Sequence, residues 1–187
     1  MSVLSIVTYN DPILRTKAEV VPEISQEVEQ FVQDMVQTMY HANGLGLAAP
    51  QVGRSLRIFV FDPDPVLEDD EPDMGIIICI NPVIVSKSEE MVVMDEGCLS
   101  LPELNDKVKR SESIVLQYRD LAFNEQELPL TGWPARIVLH EMDHLDGVLF
   151  IDHLSSFRRR MHRAQLSDIE AGLVETTYPL KPKMIDD

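Results

Sequence analysis

His140-Glu141-Met142-Asp143-His144 is the stretch around which the rest of the sequence is organised. On an α-helix, two histidines four residues apart project from one face, so both imidazoles can bind one metal ion. Glu141 would then lie beside that ion without ligating it. The alternative interpretation is a pair of core histidines bonded to backbone carbonyls.

The residues on either side of this stretch predict a buried helix. Gly132-Trp133-Pro134 is typical of a helix start, because proline fits the first turn. From Ala135 to Leu145 the apolar residues form a broad stripe that ends before Gly147. Histidines on a buried helix need polar partners, which favours a metal site.

The third ligand decides the class of such a site, because two histidines leave a metal ion under-coordinated. The sequence after His144 imitates the metzincin proteases up to their third histidine, where Phe150 stands and excludes that class. A thermolysin-like peptidase would use a downstream glutamate, for which Glu170 is the candidate. Cys98 is the stronger candidate, because it lies between a buried strand and Pro102 and a thiolate binds borderline-soft divalent ions well.

Composition predicts a single catalytic domain over residues 1–187, since 44% hydrophobic and 26% charged residues are typical of globular chains. The formal net charge of −16 argues against a general nucleic-acid binder, so we expect no DNA partner. No apolar run has the length of a membrane span, and the first ten residues lack the features of a signal peptide. We therefore expect a cytoplasmic protein without a membrane partner.

Two cysteines, Cys79 and Cys98, are too few for a disulfide framework, and Cys79 is expected to be a buried apolar residue.

The remaining patterns predict an α+β fold, with mostly antiparallel sheets packed around the histidine-bearing helix. An N-terminal helix capped by Ser25 should end at Asn43-Gly44, because its apolar residues recur at three-and-four spacing. Residues 62–74 hold seven carboxylates and three prolines and are expected to form a solvated acidic loop. We expect a C-terminal helix at about 155–171 with an acidic tail, and strands within 2–7, 57–61, 76–85, 91–94, 114–119 and 125–130.

Residues 44–53, Gly-Leu-Gly-Leu-Ala-Ala-Pro-Gln-Val-Gly, form a small and apolar segment with one side-chain amide. Glycines on both sides of Leu45 let the backbone approach a ligand closely. A tight connection between a helix and a strand would also explain the glycines, but it leaves Gln51 unexplained.

Three motifs together resemble those of peptide deformylase, in the order that the family has them. They are residues 44–51 (Gly-Leu-Gly-Leu-Ala-Ala-Pro-Gln), 96–100 (Glu-Gly-Cys-Leu-Ser) and 140–144 (His-Glu-Met-Asp-His), and the similarity runs from about residue 4 to residue 154. The resemblance implies a hydrolase of protein biosynthesis that removes the formyl group from N-formylmethionine of nascent polypeptides and releases formate. It also implies Fe²⁺ as the usual metal, replaceable by Zn²⁺, Ni²⁺ or Co²⁺.

The resemblance further implies a role for each motif residue. Cys98, His140 and His144 would ligate the metal, which leaves a fourth position for water and lowers its pKa from about 15.7 toward neutrality. The hydroxide would attack the formyl carbonyl, with Glu141 as general base and then general acid. The Gln51 amide and the Leu99 backbone N–H would stabilise the oxyanion. The substrate would lie as an added strand along Gly44, Leu45 and Gly46.

A basic cluster follows the similar region, at Phe157-Arg158-Arg159-Arg160-Met161-His162-Arg163. Some bacterial relatives bind the ribosome through a C-terminal helix, and this cluster could make such a contact. A solvated helix face explains it equally well.

Two other functions fit part of the pattern. A zincin-type peptidase would cleave internal peptide bonds and be insensitive to an N-terminal formyl group. A non-enzymatic relative that keeps the metal as a structural staple would need a fourth protein ligand, for which the sequence offers no motif.

Overall fold

The chain folds as a five-stranded antiparallel sheet with a helix on each face and a separate two-stranded hairpin beside it. This computed structural model describes residues 2–68, 70 and 72–181. In chain order the elements are β1 (Ile6–Val7), α1 (Gln26–His41), β2 (Gly46–Ala48), β3 (Ile58–Phe61), β4 (Ile77–Lys87), β5 (Met91–Cys98), β6 (Leu101–Ser111), β7 (Ser113–Arg119), β8 (Glu125–Thr131), α2 (Gly132–Leu145), α3 (Ser156–Met161), α4 (Arg163–Glu170) and β9 (Leu180–Lys181). The predicted α+β class with antiparallel sheets is confirmed.

The sheet has the strand order β2-β3-β4-β7-β8, and the fully buried β3 lies between the edge strand β2 and the central strand β4. Because side chains alternate along a strand, β3 sends Ile58 and Val60 to the α1 face and Phe59 and Phe61 to the α2 face. The helix α1 begins at the predicted cap, where the Ser25 hydroxyl accepts from the Val28 N–H.

The helix α2 is buried along most of its length, as the apolar stripe predicted. It packs against β2, β3, β7 and β8 of the sheet, and it also contacts β6 of the hairpin. Val138 and Leu145 of α2 belong to the same apolar cluster as Phe59 and Phe61. The helix therefore lies between the sheet and the hairpin, where its histidines are shielded from solvent.

The hairpin of β5 and β6 contains a long strand that the sequence analysis did not predict. Only residues 91–94 were expected to be extended, whereas pairing runs from Met91↔Ser111 to Cys98↔Leu101. Buried and exposed residues alternate along β6, as in a half-buried strand. Two of the buried residues are Asp106 and Arg110, so the sequence does not show the apolar alternation that predicts such a strand. The register shifts between Gly97 and Cys98, so the hairpin narrows to a two-residue turn at Leu99-Ser100.

The C-terminal region corrects one prediction. A single helix over 155–171 was expected, but the structure has two short helices, because His162 takes φ −85° and ψ 3° and ends α3. The bend keeps both halves against the protein: Arg158 and His162 reach Asp106 of β6, while α4 buries Ile169.

Two short strands near the two ends of the described chain, β1 and β9, pair with each other. The strand expected within residues 2–7 is limited to β1, and β9 pairs with it in parallel. The predicted acidic loop contains one short 3-10 turn, and the Asp64 carboxylate accepts from the backbone N–H groups of Met74 and Gly75. Residues 69 and 71 of that loop and residues 182–187 of the expected acidic tail lie outside the described residues. Among the described residues, no helix has both the length and the apolar content needed to cross a membrane.

Candidate active site

Cys98, His140 and His144 converge at the end of the hairpin. One ligand atom from each lies within 4.8 Å of the others. The Cys98 Sγ lies 3.3 Å from the His144 Nε2, which lies 3.2 Å from the His140 Nε2. A tetrahedral ion with bonds of about 2.0–2.3 Å would separate its ligands by about 3.3–3.6 Å, so the three residues fit a divalent metal ion. Within the described residues, no fourth His, Cys, Asp or Glu joins this group.

A buried carboxylate fixes the orientation of His140. The Glu96 side chain accepts from the His140 Nδ1–H at 3.0 Å, which leaves the Nε2 lone pair facing Cys98 and His144. Arg110 and Arg136 also donate to Glu96, at 2.5–2.8 Å. Burial alone would raise the pKa of Glu96, but the hydrogen bonds from Arg110 and His140 outweigh burial and hold its pKa well below its usual range.

Glu141 lies beside this cluster on α2, with a side chain that is almost completely buried. Its Oε2 and the Nδ1 of His144 have no hydrogen-bond partner among the described residues. Burial raises the pKa of Glu141 to about 7, and the charge of His140 opposes that rise. A buried, unpartnered carboxylate is costly in a folded protein, so it indicates a group kept for a ligand or for chemistry.

Gly46 on β2 makes room for this carboxylate. A Cβ at residue 46 would lie 2.5 Å from the Glu141 Oε1, closer than real side-chain contacts allow. A side chain at residue 46 would therefore displace the Glu141 carboxylate, and β2 runs along the candidate site.

Gln51 reaches the site from a 3-10 turn that follows β2. Its Oε1 accepts from the Ala48 N–H at 2.8 Å, so its amide NH₂ is directed away from β2. That group lies 3.5 Å from the Cys98 Sγ and 3.4 Å from the Ser100 Oγ. Gln51 is 2% exposed, so the orientation of its amide is fixed by the surrounding structure.

These residues meet in a cleft of about 310 Å³ between β2, the hairpin and α2. Eight of the nine residues that the sequence analysis assigned to the site line this cleft, namely Gly44, Leu45, Gly46, Gln51, Cys98, Leu99, His140 and Glu141. The ninth, His144, does not line it but lies beside Cys98 and His140.

Comparison with known proteins identifies the family. Residues 3–160 match the sequence model of the polypeptide deformylase family. A peptide deformylase of Salinibacter ruber is 45% identical over 186 residues, which cover 97% of this chain and 95% of that relative. One from Christiangramia forsetii is 36% identical over 187 residues, covering 96% and 95%. The crystal structure of a peptide deformylase from Ehrlichia chaffeensis superposes with a TM-score of 0.84 at 40% identity, covering 92% of this chain and 100% of that chain.

The chain belongs to the polypeptide deformylase family.

Sequence reasoning missed several residues around this deformylase site. Glu96 was part of a quoted motif, but no role was assigned to it, because its partners Arg110 and Arg136 are distant in sequence. The sequence offered one signal for these residues, namely charged side chains at strand positions that face the interior. Tyr178 also lines the cleft, and nothing in its local sequence distinguishes it.

The alternative third ligand of the sequence analysis lies elsewhere in this deformylase fold. Glu170 is on α4 and accepts from the Tyr9 hydroxyl. Two of the three histidines outside the motif also have other partners: His153 contacts Asp143 and His162 contacts Asp106.

Proposed function

We propose that the protein hydrolyses the formyl amide of N-formylmethionyl peptides and nascent chains, releasing formate and a free α-amine. Family membership supports the reaction. The observation that carries the proposal is the buried, unpartnered Glu141 carboxylate beside the Cys98, His140 and His144 group, in a cleft that β2 borders.

Cys98, His140 and His144 would hold the metal ion, with Glu96 orienting His140 from behind. One thiolate and two imidazoles suit several first-row divalent ions, and we propose Fe²⁺, with Zn²⁺, Ni²⁺ or Co²⁺ as replacements. When bound, such an ion supplies a water of lowered pKa and polarises the carbonyl oxygen.

Glu141 carries the proton in the proposed reaction. Its carboxylate accepts a proton from the attacking water, and the same carboxyl group donates that proton to the departing nitrogen as the C–N bond breaks. The water oxygen ends in formate and the nitrogen leaves as the neutral amine, so Glu141 returns to its starting state. The buried position excludes bulk water from this transfer.

Gln51 and Leu99 would stabilise the charge that develops on the formyl oxygen. The Gln51 amide is already directed toward the Cys98 side of the cleft by its bond to the Ala48 N–H. Such preorganised donors need little rearrangement when the oxyanion forms, and each is typically worth about 3–4 kcal/mol.

The peptide would bind along the start of β2. Gly44, Leu45 and Gly46 line the cleft at the edge of the five-stranded sheet, where β2 pairs with β3 alone in the described sheet. An extended peptide can add to such a free edge through backbone hydrogen bonds.

Two alternatives fit these observations less well. A structural metal site would need a fourth protein ligand, and the group within the described residues has three. A peptidase that uses Glu170 as a ligand would need that side chain at the site, whereas it accepts from the Tyr9 hydroxyl.

We also propose a weak ribosome contact through the basic cluster of residues 157–163. Arg158 is engaged by the buried Asp106. Within the described residues, Arg159, Arg160 and Arg163 are exposed and no ion pair holds them, so their charges are available to a phosphate backbone.

Formate release tests the proposed reaction. Protein loaded anaerobically with Fe²⁺ should release one formate for each new α-amine from a formyl-Met tripeptide, and should not cleave the internal peptide bonds. The acetyl-Met peptide of the same sequence is the control for general amidase activity. Cleavage of internal bonds, or metal-loaded protein that releases no formate, would contradict the proposal.

A further inference from the structure

The turn at Leu99-Ser100 connects β5 to β6 and determines where two proposed site groups lie. Cys98 precedes the turn, and Leu99 supplies the backbone N–H proposed as an oxyanion donor. The register shifts between Gly97 and Cys98, and beyond that shift the hairpin keeps one residue pair, Cys98 with Leu101, which flanks the turn. Contacts from outside the hairpin add to this single pair in positioning the turn.

Three contacts of this kind are present, and they come from three separate parts of the chain. The Ser100 carbonyl accepts from the backbone N–H of Tyr9 at 2.9 Å. The Ser100 hydroxyl lies 3.4 Å from the Gln51 amide. The Leu99 carbonyl accepts from the Tyr178 hydroxyl at 2.9 Å.

The Tyr178 contact joins residues that are 79 positions apart. Tyr178 is held in place by the pairing of β9 with β1 and by the bond from the Ile6 N–H to the Pro179 carbonyl. Its ring packs in the same apolar cluster as Leu99, so the hydroxyl and its acceptor are fixed from both sides. The residue lies beyond the matched range 3–160, in a part of the chain that the family pattern does not describe.

We propose that Tyr178 is a positioning residue for the reaction, which holds the Leu99-Ser100 turn so that the Leu99 N–H faces the developing oxyanion. This inference rests on the proposed deformylase function. The chain's C-terminal segment thereby completes a catalytic site whose sequence motifs all lie before residue 145.

The physical reason is the coupling between the two peptide groups of Leu99. A hydrogen bond to its carbonyl restricts ψ of Leu99, and the rotation of the turn that would carry the N–H away from the cleft then also breaks that bond. An oxyanion donor acts on the transition state, so loss of its alignment lowers kcat and leaves ground-state binding of the peptide largely intact.

Tyr178→Phe is the appropriate variant, because it removes the hydroxyl and retains the ring packing. Losing one neutral hydrogen bond should reduce kcat and kcat/KM together by roughly three- to tenfold, with KM within about twofold of the wild-type value. A second measurement is independent of turnover. Amide hydrogen exchange in the peptide that contains residues 98–101 should accelerate by a similar factor, while metal content and Tm stay unchanged.

Tyr9→Phe is the matched control. It removes the other tyrosine hydroxyl contact at the chain's ends, the one to Glu170, and retains the backbone bond from residue 9 to Ser100. We expect wild-type kinetics and wild-type exchange at residues 98–101 in this variant.

Three results would overturn the inference: unchanged exchange at residues 98–101, a rise in KM with kcat unaffected, or a loss of activity that only follows a loss of metal or of folded protein. A wild-type protein without formate release would instead contradict the proposed function. The exchange measurement would still decide whether Tyr178 holds the turn.

Discussion

Gly46 and the Glu141 side chain lie in close contact in the proposed site. A Cβ at residue 46 would meet the Oε1 and Cδ of Glu141 at 2.5 and 2.9 Å. Glu141 is buried on α2 and lines the cleft, so an added methyl group at residue 46 would push its carboxylate from its present position. The glycine therefore determines where the proposed proton carrier can lie.

Gly46→Ala should consequently lower kcat/KM by roughly 10²-fold, because displacing a catalytic group by about 1 Å has an effect of that size. Metal content should not change, as residue 46 does not contact the ligand group. The control is the double variant Gly46→Ala/Glu141→Ala, which should be no slower than Glu141→Ala alone. Additive losses would show that the methyl group acts on the peptide instead of on Glu141.

Gln51 has a separate role at this scale, because its two amide atoms face different partners. Gln51→Ala should lower kcat and kcat/KM together by about 10²- to 10³-fold with the metal still bound. Gln51→Glu keeps an acceptor for the Ala48 N–H but removes the NH₂ donor, so it should be at least as slow in steady-state assays. A rise in KM with kcat unaffected would assign Gln51 to ordinary peptide binding.

Asp106 of β6 contacts the bend between α3 and α4. Its side chain is buried, and Arg158 and His162 both donate to it. Burial alone would raise the pKa of Asp106, but these bonds and the Lys107 N–H outweigh burial and lower the pKa to about 2. A carboxyl group with a lowered pKa stabilises the folded protein above its unfolded pKa of about 3.9, and this contribution disappears as the pH falls toward 2.

Asp106→Asn should therefore lower the free energy of unfolding by about 1–2 kcal/mol at pH 7, since Arg158 is half exposed and charged hydrogen bonds have about this strength. The difference from wild type should shrink as the pH falls from 5 to 2. Urea unfolding across this range measures both effects. An equal difference at pH 7 and pH 2.5 would exclude Asp106 as the titrating group.

The elements also show what the sequence could predict. The helices α1 and α2 were predictable, because the Ser25 cap and the apolar spacing of each are local signals. The strand β6 was not, because Asp106 and Arg110 point inward and their charged partners, Arg158 and Asp143, come from other elements. The break at His162 was not predictable either, because residues 155–171 contain no proline or glycine that would mark the end of a helix.

The candidate site combines parts of the chain that are distant in sequence, which local patterns cannot connect. Its motif residues could be predicted, since metal and oxyanion chemistry require particular residue types. Glu96 and Tyr178 could not, because their roles arise from Arg110, Arg136 and the Leu99 carbonyl, which are near only after folding. That the whole chain forms one catalytic domain stays a prediction.

The basic cluster should matter only for a large anionic partner. Reversing two charges with Arg159→Glu and Arg160→Glu should reduce cosedimentation with ribosomes at low salt and leave kinetics on short peptides unchanged. This design retains Tyr178, which a C-terminal deletion would remove. Lys87→Glu is the control for a general charge effect. Cosedimentation equal to that of the wild type would remove the ribosome proposal.

In the proposed reaction Glu141 moves the proton beside the metal ion without ligating it, so a variant at this residue should separate metal binding from turnover. Glu141→Ala protein, loaded with Fe²⁺ and assayed for metal content and formate release in the same sample, should keep full metal occupancy and near-native stability. Formate release should fall by about 10²- to 10⁴-fold, toward the upper end because one carboxyl group serves both proton transfers. Loss of the metal would make Glu141 a ligand, and retention of both metal and activity would contradict its proposed role.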